Sequence, residues 1–285
     1  MPIHEFRGRD GNRIAADEAG PADGPPAVLI HGGGQTRHAW GTTLQAVADR
    51  GWHGYSIDLR GHGDSEWAPD GDYTMGAFSG DVSAVARSLP QPPVLIGASL
   101  GGLSSLIALG DAERQETVAR GLVMVDVAAR IETAGTDRIG DFMKADIDGF
   151  DSLEQVADAI ASYNPHRPRP KSLEGLKKNL RERDGRWYWH WDPAFITGKF
   201  GSPDETRSSL VERSSLEDAA RKLTVPMLLV RGRMSDLLSE EGARNMLELV
   251  PHAQFADVEG AGHMVAGDRN DVFNGAVLRF LDSLA

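Results

Sequence analysis

The chain has 285 residues, 40% of them hydrophobic and 25% charged, enough to bury the core of one large domain with an insertion, or of two modest ones. Its 30 basic and 42 acidic residues leave a net charge of −12, which argues against nucleic acid or an anionic membrane surface as partner. The lack of cysteine removes disulfides, thiolate metal sites and cysteine nucleophiles together.

Residues 1–7 do not read as a signal peptide, and no apolar run approaches the roughly 18 residues of a membrane span, so the expected location is cytoplasmic. Up to Glu18, the turn signal Arg9-Asp10-Gly11-Asn12 separates two short strands. The apolar run 27–30 predicts a buried strand, followed by the glycine loop His31-Gly32-Gly33-Gly34-Gln35-Thr36 and a helix over 40–49. A shorter strand over 55–57 leads into Asp58-Leu59-Arg60-Gly61-His62-Gly63-Asp64-Ser65, and a helix follows over 79–88. The run 93–96 is the next strand. It enters Gly97-Ala98-Ser99-Leu100-Gly101, which opens a helix over 100–109. Further strands are predicted over 121–125, 227–230 and 254–258, with helices over 240–249 and 271–284. Strands alternating with helices specify an α/β fold with a mostly parallel sheet flanked by helices, whose ligands bind beyond the carboxyl ends of the strands. Residues 128–222 break the alternation with no strand-like run. They are expected to form an inserted helical cap, or lid, over a core made of 1–127 and 223–285.

The pentapeptide around Ser99 joins a strand to a helix through small residues, the pattern of a nucleophile elbow. The serine then sits at a helix N-terminus, where unpaired amides favour a developing negative charge. A serine hydroxyl needs a base, and the base needs an orienting carboxylate. Downstream of Ser99 the histidines are His166, His190, His252 and His263, of which the first two fall in the cap. His263 lies in the glycine-rich loop between the last strand and the terminal helix and is the expected base. In the order serine, acid, histidine, Asp236 beyond the strand 227–230 is the expected acid, and Asp126 at the end of 121–125 is the alternative. The amides of Leu100 and Gly33 are the expected oxyanion hole, with Gly34 next to them as a substrate contact. Read as a phosphate loop, the glycine run lacks the closing Lys-Ser/Thr and the dinucleotide spacing. His31 reads as a structural residue beneath it. Nor do His31, His53 and His62 with Asp58 and Asp64 have metal-ligand spacing, so neither metal nor cofactor is expected. In the cap, Trp187, Tyr188, Trp189 and Trp191 form either a substrate wall or plain cap core; Trp187, Trp189 and Trp191 are the candidate substrate contacts.

Taken together, His31-Gly32-Gly33, Asp58 to Ser65, Gly97 to Gly102, Gly232 to Asp236 and Gly262-His263 resemble the α/β-hydrolase superfamily, in its capped esterase, haloperoxidase and epoxide hydrolase-like group. The match covers nearly the whole core, whereas the cap matches nothing recognisable. Epoxide hydrolases and haloalkane dehalogenases of this fold carry aspartate at the elbow, so Ser99 sets the chain apart from those two chemistries. The resemblance implies a serine hydrolase acting on a small-molecule ester or lactone through an acyl-enzyme on Ser99. Alternatives are a cofactor-free perhydrolase or haloperoxidase, a carbon–carbon bond hydrolase, and, from a different class, a non-catalytic small-molecule receptor.

Overall fold

The structure, a computed structural model, describes residues 3–163, 173–197, 213–260 and 270–284. Eight strands form one sheet: β1 (His4–Arg7), β2 (Arg13–Ala19), β3 (Pro26–Ile30), β4 (His53–Ile57), β5 (Val94–Ala98), β6 (Gly121–Val125), β9 (Met227–Gly232) and β10 (Gln254–Val258). Their order is β1-β2-β4-β3-β5-β6-β9-β10, antiparallel between β1, β2 and β4 and parallel from β4 onward. The order reverses at β3, since β4 pairs on one side of it and β5 on the other. The loops leaving β3 and β5 therefore border a crevice at the carboxyl edge, where sheets of this kind bind ligands.

Continuous apolar runs in the central strands follow from burial on both faces. On one face Val28, Ile30, Leu95, Leu122 and Leu229 pack with Phe78, Val82 and Val85 of α2 (Met75–Ser88) and with Leu106 of α3 (Leu100–Gly110). On the other, Ala27, Leu29, Ile96, Val123 and Val230 meet Leu44 and Val47 of α1 (Gly41–Ala48) and Phe273, Val277 and Phe280 of the terminal helix Asn270–Asp282. The side-chain period of two thus distributes one strand's residues to two cores.

Residues 128–222 leave this sheet between β6 and β9. They hold α4 (Thr133–Lys144), α5 (Leu153–Tyr163), a hairpin of β7 (Leu180–Arg183) and β8 (Arg186–Trp189), α6 (Pro193–Thr197) and α7 (Arg213–Arg221). The hairpin corrects the expectation of a strand-free insertion. Its turn is Asp184-Gly185, with φ of 51° and 76°, the two positive values that a primed two-residue turn requires. Cross-strand pairs Leu180–Trp189 and Glu182–Trp187 then alternate along it.

The loop Asp58 to Ser65 is held by buried charge. Arg60 makes a bidentate pair with Asp81 of α2, at 2.6 and 2.7 Å, with both side chains almost fully buried. Removing one partner of such a pair strands the other without water. Arg60→Ala is therefore expected to cost about 3 kcal/mol or more in urea unfolding. Asp282→Asn, which breaks the half-exposed pair with Arg50, should cost less than about 1 kcal/mol.

Candidate functional site

Ser99 is the residue between β5 and α3, with φ 47° and ψ −116°, a conformation that side chains rarely adopt. What forces it is the absence of space. A Cβ on Gly97 would lie 2.5 Å from the Gly101 carbonyl carbon, and one on Gly101 would lie 2.4 Å from the Ile30 carbonyl oxygen. The sequence Gly-x-Ser-x-Gly lets the strand, the helix and β3 approach this closely. Although Ser99 occupies the N-cap position, its hydroxyl makes no capping hydrogen bond. Leu100, the first residue of α3, carries an amide with no partner one turn earlier in the helix.

Gly32 faces Ser99 across the crevice, its Cβ direction ending 3.2 Å from Ser99 Cβ. Two of the three loop amides are engaged: Gly32 N–H donates to Gln35 Oε1 at 3.1 Å, and Gly34 N–H donates to His62 Nε2 at 3.2 Å. Among the described residues the Gly33 amide has no such partner, so Gly33 and Leu100 are the two amides available beside Ser99.

Beneath and beside the loop lie three buried histidines. His31 Nδ1 donates to Gly32 O at 2.7 Å and its Nε2 accepts from Leu59 N–H at 3.0 Å. His62 Nδ1 donates to Arg60 O at 2.9 Å. His190, directly after β8, accepts from Gly63 N–H at 2.7 Å and reaches Gly34 O at 3.4 Å. Each ring uses one nitrogen as donor and the other as acceptor, which requires the neutral form. Burial pushes His31 down to about 4 and His62 to about 3, and it holds His190 well below the ordinary value. Among the described residues, no group of three or more His, Cys, Asp or Glu side chains could hold a metal ion.

The two candidate acids occupy contrasting environments. Asp126 follows β6 directly, is fully buried and has φ 54°. Its Oδ1 accepts from Gly232 N–H at 3.0 Å and its Oδ2 from the Ser235 hydroxyl. Asp236 is about half exposed and pairs with Arg138 of α4 at 2.8 Å. The expected base, His263, lies outside the described residues.

Within 128–222, Trp189 and Trp191 are buried and stacked on each other, rings 4.9 Å apart, while Trp187 is partly exposed with Lys177 over its ring. The side chains of 128–222 that touch the glycine loop are others. Phe195 of α6 lies 3.8 Å from the Cβ direction of Gly33, and Met143 of α4 lies 3.2 Å from that of Gly34. Phe195 also meets the rings of His62, Tyr73 and Phe78. This segment is tied down by Asp192, whose carboxylate accepts from the Tyr73 hydroxyl and whose amide donates to Gly61 O. Sequence reasoning missed Phe195, Met143 and the fastening role of His190, because short segments with no periodic pattern announce no partner.

A family model described as "Alpha/beta hydrolase family" matches residues 27–276. The chain is 28% identical to an esterase of Mycobacterium tuberculosis, over 94% of this chain and 86% of the relative. It is 25% identical to 2-(acetamidomethylene)succinate hydrolase of Mesorhizobium japonicum, over 96% and 94%. A non-heme chloroperoxidase of Kitasatospora aureofaciens is 28% identical, over 99% and 100%. Among solved structures, E-2-(acetamidomethylene)succinate hydrolase superposes with a TM-score of 0.84 at 24% identity, covering 99% of this chain and all of that one.

The neutral histidines tie stability to pH. Unfolded, they take up protons below about pH 6.5, whereas the folded protein resists this until well below that value. Each histidine therefore withdraws about 1.4 kcal/mol of stability for every pH unit of acidification inside that window. His190→Gln lacks this penalty for its own ring. Its destabilisation relative to the unmodified chain, measured by urea unfolding, should therefore be smaller at pH 5 than at pH 8.

Proposed function

The chain belongs to the alpha/beta hydrolase family, and on that basis we propose that it is a serine hydrolase cleaving a carboxylic ester or lactone of a small molecule through an acyl-enzyme on Ser99. The observation that carries this reading is the strained backbone of Ser99 at the start of α3, with a hydroxyl not used for capping and two available amides beside it. Ser99 Oγ attacks the carbonyl carbon while His263 takes its proton. The oxygen becomes an oxyanion held by Leu100 N–H and Gly33 N–H. Collapse expels the alcohol, which receives the proton from His263. Water then attacks the acyl-enzyme with His263 again as base, releasing the acid and restoring the Ser99 hydroxyl. Each bond broken is matched by one formed, and the residues return to their starting state.

Residues 128–222 act as the cap that sets substrate choice over a core of 1–127 and 223–285. Phe195 and Met143 are the side chains best placed to bound the reacting group, because they touch the glycines of the oxyanion loop. Trp187, Trp189 and Trp191 contribute more remotely, through the cap core. A second reading, perhydrolysis with peroxide replacing water in deacylation, is favoured by the resemblance to the chloroperoxidase over the full chain. It uses the same nucleophile and differs only in the acyl acceptor.

A fluorophosphonate should label the protein once, at Ser99, and Ser99→Ala should lower kcat on p-nitrophenyl esters by about a thousandfold or more. Retained activity in that variant overturns the reading. Phe195→Ala should also change the ratio of kcat/KM between a bulky and a small ester by about tenfold, whereas Trp187→Ala should keep it within about twofold. That ratio is the deciding quantity, since loss of a buried aromatic costs about 3–5 kcal/mol of stability wherever it sits.

A further inference from the structure

We propose that Asp126 is the carboxylate that orients the catalytic histidine, that Ser235 holds it in place for that task, and that Asp236 instead fastens the core to the cap. The proposal rests on Ser99 and His263 acting as described above.

Position is the first argument. Val125 O accepts from Ser99 N–H at 3.2 Å, so Asp126 stands on the strand next to the nucleophile, on the side facing β9 and β10. Along the chain, β10 leads toward His263. Asp126 is thus set between the nucleophile's strand and the strands that precede the base. Burial is the second. A carboxylate that steadies an imidazolium acts most strongly where water is excluded, and Asp126 is fully buried. Asp236 is about half exposed, where solvent weakens any such effect.

Hydrogen bonding is the third. Each oxygen of Asp126 accepts from a neutral donor: Gly232 N–H at 3.0 Å on Oδ1 and the Ser235 hydroxyl on Oδ2. Neutral donors fix the plane of the group without neutralising its charge. A carboxylate offers about four acceptor positions, so two such bonds are compatible with a further one from an imidazole N–H. The Asp126 backbone is itself set, since its amide donates to Val230 O at 2.7 Å and its φ of 54° is one that side chains rarely adopt. Asp236 has the arginine of another element within reach. Its Oδ2 accepts from Arg138 of α4, which also donates to Tyr163 O at the end of α5. Neighbouring residues thus serve different parts of the molecule, Ser235 the buried carboxylate and Asp236 the cap.

The test compares Asp126→Asn, Asp236→Asn and Ser235→Ala in the full chain on a p-nitrophenyl ester, with Ser99→Ala alongside. Asp126→Asn should lower kcat by about 10³–10⁴-fold with little change in KM, as expected when the imidazole tautomer is no longer held. Asp236→Asn should lower it by less than about threefold, its effect falling on KM and on the bulky-to-small ester ratio. Ser235→Ala keeps the carboxylate but loosens it. It should lower kcat by about tenfold and move the acid limb of the kcat/KM profile to lower pH, because the imidazolium loses part of its support. This shift would not follow from a purely structural role, and it remains readable should Asp126→Asn fail to fold. A large kcat loss in Asp236→Asn with Asp126→Asn near the unmodified value overturns the proposal and leaves the serine mechanism standing. Near-normal kcat together with an unmoved pH profile in Ser235→Ala also overturns it. Retained activity in Ser99→Ala overturns the serine mechanism itself.

Discussion

Three pieces of backbone converge where α3 begins: the end of β5, the first turn of the helix and the last carbonyl of β3. No side chain fits between them, and a single methyl on Gly101 would overlap the Ile30 carbonyl oxygen. The closeness fixes much else. It bends Ser99 into its strained conformation, leaves the Leu100 amide at an open helix start, and brings Gly32 against the Ser99 side chain. The reversal of strand order at β3 makes such an encounter available, because it sends two loops out of one edge side by side.

Around this point the protein uses two kinds of buried polar contact, and they differ in what they demand. Arg60–Asp81 and Arg37–Asp58 are charge pairs whose partners must both be present, since either alone would be costly in the interior. His31, His62 and His190 are uncharged and bond mainly to main chain. The charge pairs shape the loop Asp58 to Ser65 from outside, and the imidazoles support the glycine loop from within. A neutral ring beneath the glycine loop also adds no fixed charge beside Ser99.

Much of the core was legible because its signals are local. Buried parallel strands announce themselves as apolar runs, and the strands 121–125 and 254–258 and the helix 240–249 fall where the sequence predicts them. The tight turn at Ser99 was legible because steric exclusion writes glycine at fixed spacing. The Asp184-Gly185 hairpin was also local, flanked by Trp187 and Trp189 on one side, but it lay inside a region judged by its lack of apolar runs. The contrast between Asp126 and Asp236 is of another kind. Both follow a strand and both are aspartate. What separates them, complete burial on one side and an arginine from α4 on the other, depends on elements far apart in the chain. Likewise Phe195 and Met143 come to the glycine loop only through the path of the chain between β6 and β9, which no short pattern encodes.

The docking of residues 179–192 on the core has a consequence for how this molecule can be altered. His190 reads the main chain at Gly63 and Gly34, Asp192 reads Gly61 O through its amide, and Arg181 reads Gly63 O. Side chains supply most of the grip on one surface only, and the other offers mostly peptide groups. A surface of peptide groups is the same for any core whose loops have these dihedral angles. The joint is therefore closer to a standard fitting than to a matched lock. Another segment seated here would need an imidazole and a guanidinium to meet these peptide groups, and a carboxylate only where the Tyr73 hydroxyl waits for one.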